Sequence, residues 1–212
     1  MSRIIDTYGE LLLKAIGTHL FYVLVSVLIG SILGLFLGIL LSRFPKMSTF
    51  VMPLLSIFQT IPGLVFIGLL FIWLGMVPIT VIIALSIYAM FPVLKNTYSG
   101  LLSVDKKYIE AAKGCGMSKF QSLVKVELPL AFSTIMTGIR MATVYTVSWA
   151  VLTSMIGLGG LGDFVYQGTS SNNNTLILLG AIPSAIIALS LGYLFDFVQK
   201  KLTSRGLKKE GK

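Results

Sequence analysis

Glu110 opens the stretch EAAKGCGMSKFQSLVKVELP, residues 110–129, which is polar, basic and punctuated by glycine. No nucleophile–base pair accompanies this carboxylate, so the chemistry on offer is contact rather than bond-making. Ala111, Ala112 and Gly116 are small enough to let another backbone come close, and a charge beside such a contact sets encounter and orientation. Asp105 to Lys113 is a good helix former with few β-branched residues, and Gly114 and Gly116 are expected to stop it. Ser118, with Gln121 three residues later, fits a capping box. The helix it starts is expected to run through Val126 and end before Leu128-Pro129, because proline disfavours helix in the residue before it. The spacing predicts helix, tight turn, helix.

Other reactive types carry less. One cysteine, Cys115, excludes an internal disulfide, and one histidine, His19, leaves no Cys/His metal cluster. Cys115 reads as a small packing residue. Gly157, Gly159 and Gly162 fit G-x-G-x-x-G, but that fingerprint needs a strand before it and a helix after it. Here it follows an apolar run, so Gly159, Gly160 and Gly162 read as a turn that reverses the chain. No G-x-x-x-x-G-K-[ST] occurs, so no P-loop cradles ATP phosphates. With no nucleophile–base pair and no metal ligand set, no enzyme activity and no cofactor is expected of this chain.

The setting of these residues is a membrane. Of 212 residues 55% are apolar and only 12% charged, with a mean hydropathy of +0.90, whereas soluble domains carry about a quarter charged residues. The 17 Lys and Arg against 8 Asp and Glu give a net charge of +9. No aromatic-and-basic platform accompanies that charge, so nucleic acid is not the partner; it lies between apolar runs as a topology determinant. With Asp6, Glu10, Lys14 and His19 among them, the first 19 residues are not expected to act as a secretory signal, nor the last residues as a CaaX signal. The spans themselves are expected to direct insertion.

A spanning helix needs about 20 apolar residues. Residues 20–42 make the first. Met47 to Leu94 is 48 residues without a charge, about 72 Å if helical and too long for one crossing. Gly75-Met76-Val77-Pro78 divides it into spans 51–74 and 78–95. Residues 131–156, with Arg140 their one charge, and 176–197 complete an all-α, five-span protein. Arg140 reads as snorkelling at the interface or pairing with a partner subunit. Fourteen of the 17 basic residues, Lys95 among them, fall in alternate connections, which puts the N-terminus outside and the C-terminus in the cytoplasm. Residues 1–19 repeat Ile4, Ile5, Tyr8, Leu11, Leu12, Ala15 and Ile16 at helical spacing; the stripe fits an interfacial helix on the outer leaflet or one packed on a partner helix. The remaining regions are a cytoplasmic loop over 96–130 and a basic tail over 200–212.

Glu-Ala-Ala, glycine at plus six, an aliphatic residue at plus sixteen and Leu-Pro at plus eighteen and nineteen resemble the EAA signature of permease subunits of ATP-binding-cassette (ABC) importers. Glu110, Ala111, Ala112, Gly116, Val126, Leu128 and Pro129 carry it, with valine at 126 where isoleucine is commoner. Gln59-Thr60-Ile61-Pro62, the PVLKNT run from Pro92 to Thr97 and Gly159-Gly160-Leu161-Gly162-Asp163 are similar to permeases of osmoprotectant importers, which take up glycine betaine, carnitine and choline. The likeness spans about residues 17 to 200. It implies the type I ABC importer permease fold in the bacterial cell membrane, an EAA loop docked on a separate ATPase in two copies, and ATP and magnesium held there. It also implies a second permease copy or paralogue and an extracytoplasmic binding protein that selects the solute.

Within the spans, polar groups need partners and so mark candidate paths. Gln59, Thr60 and Pro62, where a proline break frees backbone carbonyls, and Ser148 with Trp149 are the path or gate candidates. Ser86, Thr143, Thr146 and Thr153 fit either the path or helix-to-helix hydrogen bonds. Tyr88, Phe91, Tyr145 and Trp149 fit either an aromatic cage for a quaternary ammonium or lipid-facing packing. The alternatives are a permease for another small solute, such as an amino acid or bile-type compound, and an ion-coupled secondary transporter. The latter would want an acid or histidine at mid-membrane, and spans 1 to 3 have none.

Overall fold

A computed structural model describes residues 2–202, and every regular element in that range is helical. Helix α1 (Ser2–Arg43) runs unbroken, so residues 2–19 continue into the first span rather than form the separate interfacial helix expected. Nothing there stops a helix: Gly17 costs only about 1 kcal/mol in a helix interior, and the apolar face continues through His19, Tyr22, Val23 and Ser26, all buried. Tyr8, Leu12, Ala15 and Ile16 pack against Leu161, Phe164 and Leu176 of this same chain. Met1 and the side chains of Ile4, Ile5 and Asp6 lie outside the described residues, as do 203–212 of the basic tail.

The expected span 51–74 is two helices, α2 (Pro45–Phe58) and α3 (Gly63–Leu74), bent by 93° at Gln59–Pro62. Pro62 has no N–H to continue the ladder, and Thr60 and Ile61 close tight turns onto the carbonyls of Ile57 and Phe58 at 2.9 and 3.1 Å. Fourteen and twelve residues reach only ~21 and ~18 Å, so neither half crosses a ~30 Å core alone. Among the described residues there are thus four spanning helices, or five if the bent pair is one.

Helix α4 (Pro78–Leu102) is longer than the span 78–95. Lys95, expected in the connection, therefore sits inside it, about 10 Å from its end. Next come α5 (Lys106–Gly114), α6 (Lys119–Ser122), a π turn (Leu123–Glu127) and α7 (Leu128–Thr153). The helix expected to end before Leu128 does not end. The π turn adds one residue per turn, Leu128 N–H donates to the Leu123 carbonyl, and Pro129 falls in the first turn of α7, where a missing N–H costs little. After a second π turn (Ser154–Leu158), the 157–175 stretch read as a loop contains α8 (Leu161–Ser170), and α9 (Asn174–Leu202) completes the bundle.

The core lies where α1, α4 and α7 meet, with Val23, Val81, Leu85, Val93, Ala142 and Val147 buried. The α1–α4 contact is the most extensive in the chain, and a spacing not singled out above makes it close. Gly30, Gly34 and Gly38 recur every fourth residue on the α4-facing side of α1, and Ala89, Val93 and Thr97 fill the space a side chain would need. Lipid offers no hydrophobic drive between helices, so such close approach holds them together. Arg140 pairs with Asp196 of α9 at 3.1 Å, so its partner is in its own chain.

Candidate functional site

At one end of the bundle, α5 and the turn after it form a compact projection. Asp105 caps α5 through the Lys107 N–H at 2.9 Å, and that bond with the Lys107 ammonium holds its carboxyl below the ordinary range. Gly116 takes φ +76°, Gly116 N–H donates to the Lys113 carbonyl and Met117 N–H to the Ala112 carbonyl. These two bonds are a Schellman stop. One residue later Ser118 and Gln121 exchange the reciprocal bonds of a capping box, at 2.9 and 3.2 Å. A stop and a start placed back to back fix the angle between α5 and α6.

Ala112 is buried, whereas Glu110, Ala111, Cys115 and Gly116 are exposed. Leu128 is half-buried and Pro129 exposed at the start of α7; both shape the return into the membrane rather than the projecting tip. Phe120, 73% exposed beside that tip, is an aromatic of the kind that anchors interfaces, and sequence reasoning missed it because its side depends on how α6 is set.

Glu127 was missed as well, although it lies inside the motif stretch. It is buried, accepts from Arg43 Nη2 at 2.6 Å and from Ser122 Oγ at 3.2 Å, and so ties the end of α1 to the projection. The two ends of the pair are unequal, since Arg43 remains 40% exposed. Arg43→Ala strands a buried carboxylate, a loss of about 3 kcal/mol or more, whereas Glu127→Gln leaves only a solvated guanidinium and costs less. Thermal midpoints of the detergent-purified variants check the order; equal losses would refute it.

The second region surrounds the Gln59–Pro62 break. Gln59, Lys95, Asn96, Tyr88, Tyr145 and Trp149 line an open-sided cavity of about 420 Å³. Lys95 Nζ donates to Gln59 Oε1 at 2.7 Å, and the rings of Tyr88 and Trp149 stack with centroids 4.9 Å apart and 17° between planes. Trp149 can lie there because residue 63 is glycine; a Cβ at that position would overlap its indole.

Of the five path candidates, Gln59 and Trp149 reach this cavity, while Thr60, Pro62 and Ser148 do not line it. Thr60 Oγ1 bonds to the Ile57 carbonyl at the end of α2, and Ser148 Oγ to the Val144 carbonyl of its own helix. Pro62 acts through the bend. Phe91 is buried against Phe58 rather than joining the other three aromatics. Thr143, Thr146 and Thr153 bond back to carbonyls of α7 itself, not across helices.

At the far end of the bundle Gly157, Gly159 and Gly160 all have positive φ and reverse the chain, and Gly162 abuts the Val151 carbonyl. No strand precedes them among the described residues, so the dinucleotide pattern has no context here. Burial raises the carboxyl of Asp163, at the start of α8, above the ordinary range.

Residues 18–207 match the family model described as binding-protein-dependent transport system inner membrane component. The carnitine transport permease protein OpuCB of Listeria monocytogenes is 42% identical, over 94% of this chain and 92% of that one. The glycine betaine/carnitine/choline transport system permease protein OpuCB of Bacillus subtilis (strain 168) is 37% identical, over 98% and 95%. In fold, the chain is similar to a protein solved in inward-facing conformations of the MetNI methionine ABC transporter, with a TM-score of 0.85 at 22% identity, covering 94% of this chain and 99% of that one.

Proposed function

The chain belongs to the family of binding-protein-dependent transport system inner membrane components, and from that premise we propose that it passes small quaternary ammonium solutes, such as carnitine and glycine betaine, into the cell. It is a membrane-embedded transport subunit of an ABC importer and not an enzyme; it works with a separate ATPase and a binding protein.

The observation that carries the reading of its parts is the α5 projection. Ala111, Cys115 and Gly116 offer a small-residue surface, Glu110 a charge at its edge and Phe120 an aromatic anchor. Such a surface suits a groove on the ATPase, which holds ATP and magnesium. The basic excess supports a cytoplasmic location for this end, with the glycine turn and α8 outside facing the binding protein. A second permease subunit fits the open side of the Gln59–Trp149 cavity, which one chain leaves unclosed, and one α5 projection on each permease then calls for two copies of the ATPase. The path then runs along the α2–α3 break.

The test is reconstitution of the chain with its ATPase and binding protein in vesicles. ATP-dependent uptake of labelled carnitine or glycine betaine is expected; absence of uptake with all three components assembled would overturn the solute assignment. Phe120→Ala is expected to weaken co-purification of the ATPase by roughly tenfold or more, as loss of an aromatic anchor does.

A further inference from the structure

Lys95 is the residue the proposed path least requires and the structure most clearly sets apart. A lysine inside a spanning helix is costly, and it persists where it pairs or lines a solute route. Lys95 lines the cavity, half-buried, and Gln59 Oε1 holds its Nζ at 2.7 Å. An ammonium has three donors, so this one bond fixes its position and leaves two for a ligand. No aspartate or glutamate lines the cavity, and its net charge is therefore positive.

On the other wall, Tyr88 and Trp149 stack on each other at 4.9 Å, which leaves one face of each ring open to other contacts, and both line the cavity with the half-exposed Tyr145. A cavity of about 420 Å³ is of the size that takes small ligands. The two walls ask for different things. Aromatic faces attract an alkylammonium through the ring quadrupole, while a fixed lysine attracts a carboxylate and repels a cation.

Resting on the transport reading above, we propose that this cavity is a transit site selective for zwitterions, with Lys95 pairing the solute's carboxylate and Tyr88, Tyr145 and Trp149 facing its quaternary ammonium. A cationic alcohol such as choline gains the same aromatic contact but has nothing to give Lys95 and meets its charge. The permease itself therefore discriminates betaine-type solutes from choline, in addition to any selection by the binding protein. Lys95 is a specificity-determining residue, and Gln59 positions it.

The chain has two tryptophans. Trp73 is 84% exposed at the end of α3, so Trp73→Phe leaves Trp149 as the reporter of the site. The assay is quenching of Trp149 fluorescence in the assembled permease–ATPase complex, without binding protein, by glycine betaine, carnitine and choline, with the signal of a complex carrying both Trp73→Phe and Trp149→Phe subtracted as the ATPase background. In the Trp73→Phe background the two zwitterions are expected to bind at least about tenfold more tightly than choline, the loss expected for one charge-assisted contact. Adding Lys95→Met should bring the three to within about threefold, chiefly by weakening the zwitterions, whereas Lys95→Arg should keep the preference.

A preference for zwitterions that survives Lys95→Met, equal weakening of all three solutes, or no quenching up to roughly 0.1 M would each overturn the proposal. Uptake by the full importer, measured alongside, separates the two readings. Transport of betaine-type solutes without the Lys95 effect sinks only the transit site, and no transport of any quaternary ammonium sinks the assignment beneath it.

Discussion

Glu110→Arg lowers uptake by the assembled importer at least ~30-fold, the scale of losing about 2 kcal/mol at an interface hot spot, while the purified permease keeps its thermal midpoint. Glu110 is exposed on α5 and makes no bond that holds the fold, so reversal of its charge acts on the partner. Juxtaposing like charges across a contact costs several kcal/mol. The expected signature is loss of ATPase co-purification together with uptake. Gly116 separates surface from backbone. Its φ of +76° costs an ordinary side chain about 1–2 kcal/mol, although a Cβ there meets no neighbouring atom. Gly116→Val should therefore cut uptake strongly, whereas Gly116→Asn, which tolerates the left-handed region, should retain most of it. Wild-type uptake in Glu110→Arg would sink the docking account, and equal defects in the two Gly116 variants would show that the turn is not the reason for glycine.

The second large effect is on the fold. Gly34→Leu removes the folded permease from detergent extracts, because α1 can no longer sit on α4. A Cβ at Gly34 would lie 2.7 Å from the Met90 carbonyl oxygen and 2.8 Å from Val93 Cβ. The first of these is backbone and cannot turn aside. Overpacking costs about 1–3 kcal/mol where side chains can shift, and here two helices must part along the chain's most extensive contact. Gly17→Ala is the control, since a Cβ there meets nothing within 4 Å and alanine favours helix over glycine by about 1 kcal/mol. Monodisperse yield and thermal midpoint read both. A Gly34→Leu protein as stable as wild type would refute the close-packed seam.

Much of this protein is written in local patterns. The four long apolar runs follow from hydropathy alone, because a bilayer imposes length and composition on any helix that crosses it. The capping box at Ser118 and the stop at Gly116 were legible for a similar reason: their bonds close within six residues, so the sequence contains both partners of each. The same locality made Glu110 to Pro129 recognisable by spacing.

What the sequence left open depends on partners far along the chain. Whether residues 1–19 lie on a leaflet or continue into α1 turns on Leu161, Phe164 and Leu176, well over 100 residues away. Helix propensity said stop at Leu128-Pro129, but one widened turn let the chain pass, and the buried Glu127 of that same turn pairs with Arg43 at the end of α1. Lys95 looked like a topology charge among loop residues; only the length of α4 and the bend at Gln59–Pro62 bring it into a cavity with Tyr88 and Trp149. Periodicity and capping report what a residue does with its neighbours in sequence. The direction a charge faces is fixed by which helices close around it, and that the tertiary structure alone decided.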